Sequence, residues 1–136
     1  MQVEYLNQIP DIDAFFELYK STNWNEDGNK NKEELYEAIS NSWYVISAFY
    51  NKKLIGFGRI ISDGQLHALI ADLIIMPNYK RKGIGTKILD GLVKKAEKEG
   101  VDQILLFCAE NKKEFYLKNN FKTRSENAPG MEYDKA

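Results

Sequence analysis

Residues 72–96 read DLIIMPNYKRKGIGTKILDGLVKKA. An apolar strand over 69–76 breaks at Pro77, and a tight basic turn follows with Lys80, Arg81 and Lys82. Gly83-Ile84-Gly85-Thr86 then opens an amphipathic helix, with Ile84, Ile88, Leu92 and Ala96 on one face and Leu89 and Val93 beside them. That spacing is the 3.6-residue period of a helix with one buried side. Strand, glycine-bearing turn and helix, in that order, make a site for an anion. Glycine lets the backbone approach a ligand, while a helix start offers unpaired N–H groups and the positive end of the helix dipole. Three cations in the turn add local positive potential.

Outward from this stretch, the chain is one domain's length, 136 residues, enough to bury a real core. Nineteen basic and twenty acidic residues leave a net charge of −1, so the basic turn is a local feature suited to a small anion and not to nucleic acid. One cysteine excludes an internal disulfide. No secretory signal is visible, and no apolar run approaches the ~18 residues that span a bilayer. The expectation is a cytoplasmic single-domain protein, residues 1–136, with no membrane or nucleic-acid partner.

Before the central stretch, residues 3–6 suggest a short strand, and 10–20 a helix beginning at Pro10, with Phe15, Phe16 and Tyr19 at helical spacing. Residues 21–31 are an Asn-, Asp- and Gly-rich loop of the length that is often functional. Trp24 in its middle either folds back onto the core or lines a substrate mouth. A second helix is expected over 32–40. Strands at 43–50, 54–62 and 67–76 form an antiparallel meander, in which Gly56 and Gly58 mark a bulge or a close approach. The central helix stops at Gly100. A strand over 101–109 returns parallel to 69–76, because it follows strand and helix in βαβ fashion. A short helix at 112–119 and two brief strands at 121–124 and 131–134 complete an α+β fold, a central mixed sheet flanked by helices.

Two nucleotide signatures fail. Gly83-Ile84-Gly85-Thr86-Lys87 has the wrong order for a mononucleotide P-loop, and Ile88 stands where a dinucleotide fingerprint needs its third glycine. The stretch instead resembles the acyl-CoA-binding motif of the GCN5-related N-acetyltransferase (GNAT) superfamily, Arg/Gln-x-x-Gly-x-Gly/Ala, with Lys80 in place of Arg or Gln. The resemblance continues through Asn111 and Phe115-Tyr116-x-x-x-Asn120-Phe121, where Asn120 replaces a glycine of the family pattern. It implies a mostly antiparallel sheet with one splayed parallel strand pair, and acetyl-CoA as cosubstrate. The pantetheine arm is expected against the backbone of Ile74 and Ile75. The pyrophosphate is expected on Arg81 to Thr86, with Lys80, Lys82, Gly83, Ile84, Gly85 and Asn111 completing the cofactor site.

The implied reaction is attack of a neutral amine on the thioester. An alkyl amine of pKa ~10.4 is only about one part in two thousand neutral at pH 7, whereas a thiol of pKa ~8.5 leaves readily. A base therefore supplies more than an acid. By resemblance Tyr116 is the acid. Asp72, a carboxylate within an apolar strand, and Glu110 compete for the base. His67 reads as a surface or satisfied histidine and Cys108, within LLFCA, as a small buried apolar residue. No cluster has metal-ligand spacing. The substrate implied is a primary amine of a small molecule. Alternatives are a protein N-terminal or lysine acceptor and a non-catalytic acyl-CoA-binding module; a homodimer is left open.

Overall fold

The computed structural model describes residues 1–135. By internal packing the chain forms two compact units, Met1–Leu106 and Phe107–Ala136.

The first unit is built on a five-stranded sheet in chain order: β1 (Glu4–Leu6), β2 (Tyr44–Tyr50), β3 (Lys53–Ser62), β4 (His67–Ile75) and β5 (Gln103–Leu106). The first four strands pair antiparallel, and β5 alone runs parallel to its neighbour. The expected α+β mixed sheet is what forms.

Helices α1 (Ile12–Lys20) and α2 (Lys32–Ser40) cover one face of the sheet. There Phe15, Leu18, Leu35 and Ile39 pack with Val45, Leu54, Phe57 and Ile74 as one buried cluster. Pro10 lies outside α1. Asp11 is its N-cap, because the carboxylate accepts from the N–H groups of Asp13 (3.1 Å) and Ala14 (3.2 Å), which a proline start cannot offer. Asn31 and Glu34 form a reciprocal capping box on α2.

Helix α3 (Ile84–Lys98) covers the other face, burying Ile84, Ile88, Leu89, Leu92 and Ala96. Burial of each large side chain stabilises by about 1.5–3 kcal/mol. Gly56 and Gly58 admit α3 to close contact: a Cβ at position 58 would stand 2.8 Å from Ile88 Cγ2 and 3.0 Å from Leu92 Cδ1. The helix ends as expected at Gly100 (φ 73°), with Val101 N–H donating to Ala96 O and Gly100 N–H to Glu97 O.

β5 is shorter than the run 101–109. Val101 spends its N–H on the helix end, and pairing with β4 stops at Ile70↔Leu106. In the second unit, α4 (Lys113–Lys118) forms where a short helix was expected. The two final strands do not form: 121–124 and 131–134 are irregular. Their neighbourhood is closed instead by local bonds, Ala128 N–H to Ser125 O and Arg124 Nε to Ala128 O, and neither segment has a partner strand among the described residues.

Candidate functional site

The turn after β4 begins as a single 3₁₀ turn (Pro77–Tyr79), closed by Tyr79 N–H to Met76 O at 2.8 Å. Arg81 (φ 63°) and Gly83 (φ 83°) both take left-handed conformations, so the backbone reverses twice before the helix starts. Gly83 is the N-cap of α3 and supplies no side-chain cap. Lys87 N–H donates to Gly83 O, so the N–H groups of Ile84, Gly85 and Thr86 precede the first intrahelical bond. A Cβ at Gly83 would find nothing within 4 Å. Lys80, Arg81 and Lys82 are exposed and, among the described residues, form no ion pair. Uncapped amides, open space and free cations form a receptor suited to a phosphate group.

The strand leading into this turn has a free edge. β5 pairs only with 67–70, so residues 71–75 of β4 are bonded to β3 on one side and, among the described residues, to no strand on the other. Which backbone groups face that edge follows from alternation. Trp43 N–H donates to Ile60 O, turning Ile60 toward β2, and Met76 N–H donates to Ile55 O. Odd residues of β3 thus face β4, and Ile74, opposite Phe57, faces β3 with Met76. Leu73 and Ile75 face the free edge. Of the two residues expected against the pantetheine arm, Ile74 has its backbone committed to the sheet, whereas Ile75, with Leu73, offers its backbone to the edge. The uninterrupted apolar run LIIM gave no alternation from which to see this.

A bulge fixes the phase. Between Phe57↔Ile74 and Arg59↔Ala71, β3 advances two residues and β4 three, and Asp72 stands in the bulge at φ 54°. Asp is among the residues that tolerate this region. Its carboxylate accepts from Arg59 Nε at 2.7 Å, with both side chains largely buried (12% and 20% exposed). Arg59 Nη1 also donates to Ala38 O (3.1 Å) near the end of α2. Asp72 is therefore not the isolated buried acid that the sequence suggested but half of an ion pair. Arg59 was overlooked, although two lone opposite charges in adjacent apolar strands were the available signal.

On the same face, an aromatic series leads from the core outward. Phe57 meets Phe15 (5.0 Å between centroids), Phe15 meets Tyr19 (5.7 Å), and Tyr19 meets Trp24 edge-on (5.9 Å). Trp24 is 48% exposed, so it neither sinks into the core nor leaves it. Burial raises the Tyr19 phenol above its ordinary pKa; the Asp72 charge adds to this and Arg59 opposes it, which places the ion pair within electrostatic reach.

In the second unit, Tyr116 lies on α4, edge-on to Phe115 (5.0 Å) and Phe121 (5.9 Å). Burial, and secondarily a charge at Cys108, raise its phenol above 10. Phe121 N–H and Asn119 N–H both close on Tyr116 O, and Asn120 takes the left-handed position (φ 69°) that its replacement of glycine implied. Asn111 is left-handed too (φ 66°). Cys108 is exposed, contrary to expectation, because the strand ends at Leu106 and no sheet neighbour covers it. Glu110 is exposed, and His67 is exposed with Nδ1 3.2 Å from Gln103 Oε1. No group of metal-ligating side chains occurs among the described residues, and no helix is long and apolar enough to cross a membrane.

The sequence profile of the acetyltransferase (GNAT) family matches residues 9–121. An uncharacterised N-acetyltransferase, ycf52, of Gracilaria tenuistipitata var. liui is 36% identical over 98 residues, covering 69% of this chain and 54% of the relative. The histone acetyltransferase TAP1 of Glycine max is 27% identical over 110 residues, covering 72% and 47%. The chain spans about half the length of these curated relatives. Among solved structures, the probable acetyltransferase SA2161 of Staphylococcus aureus superposes with a TM-score of 0.84 at 20% identity, covering 98% of this chain and 99% of that one, a likeness of fold. PaiA N-acetyltransferase of Thermoplasma acidophilum, solved in complex with coenzyme A, gives a TM-score of 0.73 at 25% identity, covering 91% and 92%.

Proposed function

The chain belongs to the acetyltransferase (GNAT) family, and from that premise we propose that it transfers an acetyl group from acetyl-CoA directly to the primary amine of a small molecule. The observation that carries the cofactor half is the uncapped start of α3, reached from a strand edge that β5 leaves unpaired. Acetyl-CoA supplies an activated acyl thioester. Around it, the N–H groups of Ile84, Gly85 and Thr86 would hold pyrophosphate oxygens, with Lys80, Arg81 and Lys82 lending charge. Leu73 and Ile75 would hold the pantetheine amides as a strand holds its neighbour. Asn111 completes the cofactor set by family resemblance. The family match runs through both units, which supports reading residues 1–136 as one acetyltransferase domain.

Tyr116 is assigned the acid role, and its chemistry sets a bound on what that role contributes. A phenol raised above 10 is protonated throughout the working range, yet it is a weaker acid than a thiol of pKa ~8.5. Tyr116 therefore acts chiefly by donating a hydrogen bond at the departing sulfur. Asp72, held by Arg59, is the carboxylate assigned to the amine's proton, through water, with Glu110 as the competing position. Tyr19 and Trp24 line the acceptor side, where an aromatic face beside a carboxylate suits a cation with an apolar body.

A protein acceptor is the second reading, since a relative is named for histones; the half-exposed Trp24 closing over Tyr19 favours a smaller ligand. A release assay for free CoA thiol, run with acetyl-CoA against polyamines, arylalkylamines, aminoglycosides and lysine peptides, tests the choice. Turnover with a small amine supports the proposal. Turnover confined to peptides replaces it with the protein reading, and tight CoA binding without any turnover replaces it with a binding module.

A further inference from the structure

We propose that Arg59 is a positioning residue for the acyl-CoA edge, acting by clamping Asp72 in the bulge that decides which residues of β4 face the cofactor. The inference rests on the acyl-CoA reading above and adds to it a residue outside the cofactor motif.

The register shows what the bulge does. From Ser62↔Ala68 to Arg59↔Ala71 the paired residue numbers keep a constant sum, as in any regular antiparallel pair. Continued without interruption, that register would set Leu73 opposite Phe57 and turn Leu73 and Ile75 toward β3. Asp72 and Ile74 would then face the free edge. The extra residue at Asp72 reverses the phase, so that Phe57 meets Ile74 and Gly56 meets Ile75. A one-residue slip in a strand exchanges its two sides completely. The hydrogen-bonding groups offered to a ligand by 73–75 therefore depend on that single insertion.

The bulge is placed where the sheet opens, two residues beyond the last pair with β5, Ile70↔Leu106. β5 pairs only with 67–70 and so gives the bulge no strand partner on that side. On the β3 side it faces Gly58, which has no side chain to contribute. The restraint present is the guanidinium of Arg59: Nε on the Asp72 carboxylate at 2.7 Å, and Nη1 on Ala38 O at 3.1 Å. Because Nη1 is fixed to the end of α2, the guanidinium is anchored independently of the strand it restrains. A left-handed, non-glycine residue carries a backbone cost, and the ion pair offsets it.

The test separates the shape of the bulge from the charge that holds it. Glycine accepts φ 54° without strain, so it preserves the bulge without any partner. CoA binding is measured by calorimetry at a temperature where circular dichroism shows each variant folded. Arg59→Met should weaken CoA binding about 10-fold or more, and Arg59→Lys by less. The double variant Arg59→Met/Asp72→Gly should return to within about threefold of wild type. Asp72→Ala against Asp72→Gly makes the same comparison with Arg59 intact, should Arg59→Met fail to fold: alanine should weaken binding and glycine should not. Amide exchange at Ile74, whose backbone is committed to β3 by the bulged register, should quicken in the weakened variants alone. Wild-type affinity in Arg59→Met, or equal affinities for Asp72→Ala and Asp72→Gly, overturns this inference while the acyl-CoA reading stands. A wild-type chain that does not bind CoA overturns both.

Discussion

Substitution of Gly83 isolates the charge of the ligand proposed for the turn. Any L-residue there must adopt φ near 83°, which costs about 1–2 kcal/mol. Nothing lies within 4 Å of the new Cβ, so no clash is added. For 136 residues at about 2.1 cal/mol/K each, the unfolding entropy is roughly 0.29 kcal/mol/K, and the strain should lower Tm by about 3–7 °C. Gly83→Gln and Gly83→Glu share that loss and differ by one negative charge. A carboxylate about 5 Å from a phosphate charge, at an effective dielectric constant of about 20, is opposed by roughly 3 kcal/mol. Gly83→Glu should therefore bind CoA about 200-fold more weakly than Gly83→Gln at low salt. With a Debye length of about 8 Å at 0.15 M ionic strength, the gap should shrink to roughly 20-fold. Calorimetric titration of both variants at two salt concentrations measures this. Equal affinities for the two, or a gap indifferent to salt, would refute an anion at the start of α3.

Tyr116→Phe should lower kcat by about 10- to 100-fold, below the upper range for acid–base catalysis because the thiolate leaves readily; a wild-type rate removes Tyr116 from the mechanism. Its raised phenol pKa also sets a sign. Well below the ordinary phenol pKa the group is protonated folded or unfolded and adds no pH dependence. Above 10 the unfolded chain loses the proton first, so its contribution to stability falls as pH rises toward the folded value. Any alkaline loss of activity due to Tyr116 should accordingly fall at a higher pH than an ordinary phenol would give, as a kcat/KM profile of wild type against the Phe variant would show. Asp72→Asn should displace the acidic limb of the kcat/KM profile upward, while an unchanged profile transfers the base role to Glu110 or to water alone. Gly58→Ala should destabilise by about 1–3 kcal/mol, because its Cβ would stand 2.8 Å from Ile88 Cγ2; an unchanged urea midpoint would show that α3 yields without cost.

Much of this protein is written locally. The basic turn, the helix begun at Gly83 and stopped at Gly100, and the left-handed role of Asn120 all follow from rules acting within a few residues, and the structure contains each of them. The three-strand meander was legible for the same reason, because its β-branched runs are bounded by turn residues. Where the local signal was weak the expectations failed. Residues 121–124 and 131–134 have strand-like composition, but a strand exists only through a partner. Cys108 lies in an apolar run, yet its burial depended on sheet pairing that stops at Ile70↔Leu106.

The chain alone thus determines that a basic, glycine-bearing turn with uncapped helix amides joins β4 to α3, since glycine conformation and unpaired helix amides are properties of consecutive residues. Only the tertiary structure decides how the strand before that turn presents itself. The residues LIADLIIM carry no alternation, and their phase is set by a bulge at Asp72 held from β3 by Arg59, thirteen positions earlier. Hydrogen-bond phase in a strand belongs to the pair of strands, and here it turns Leu73 and Ile75 to the open edge.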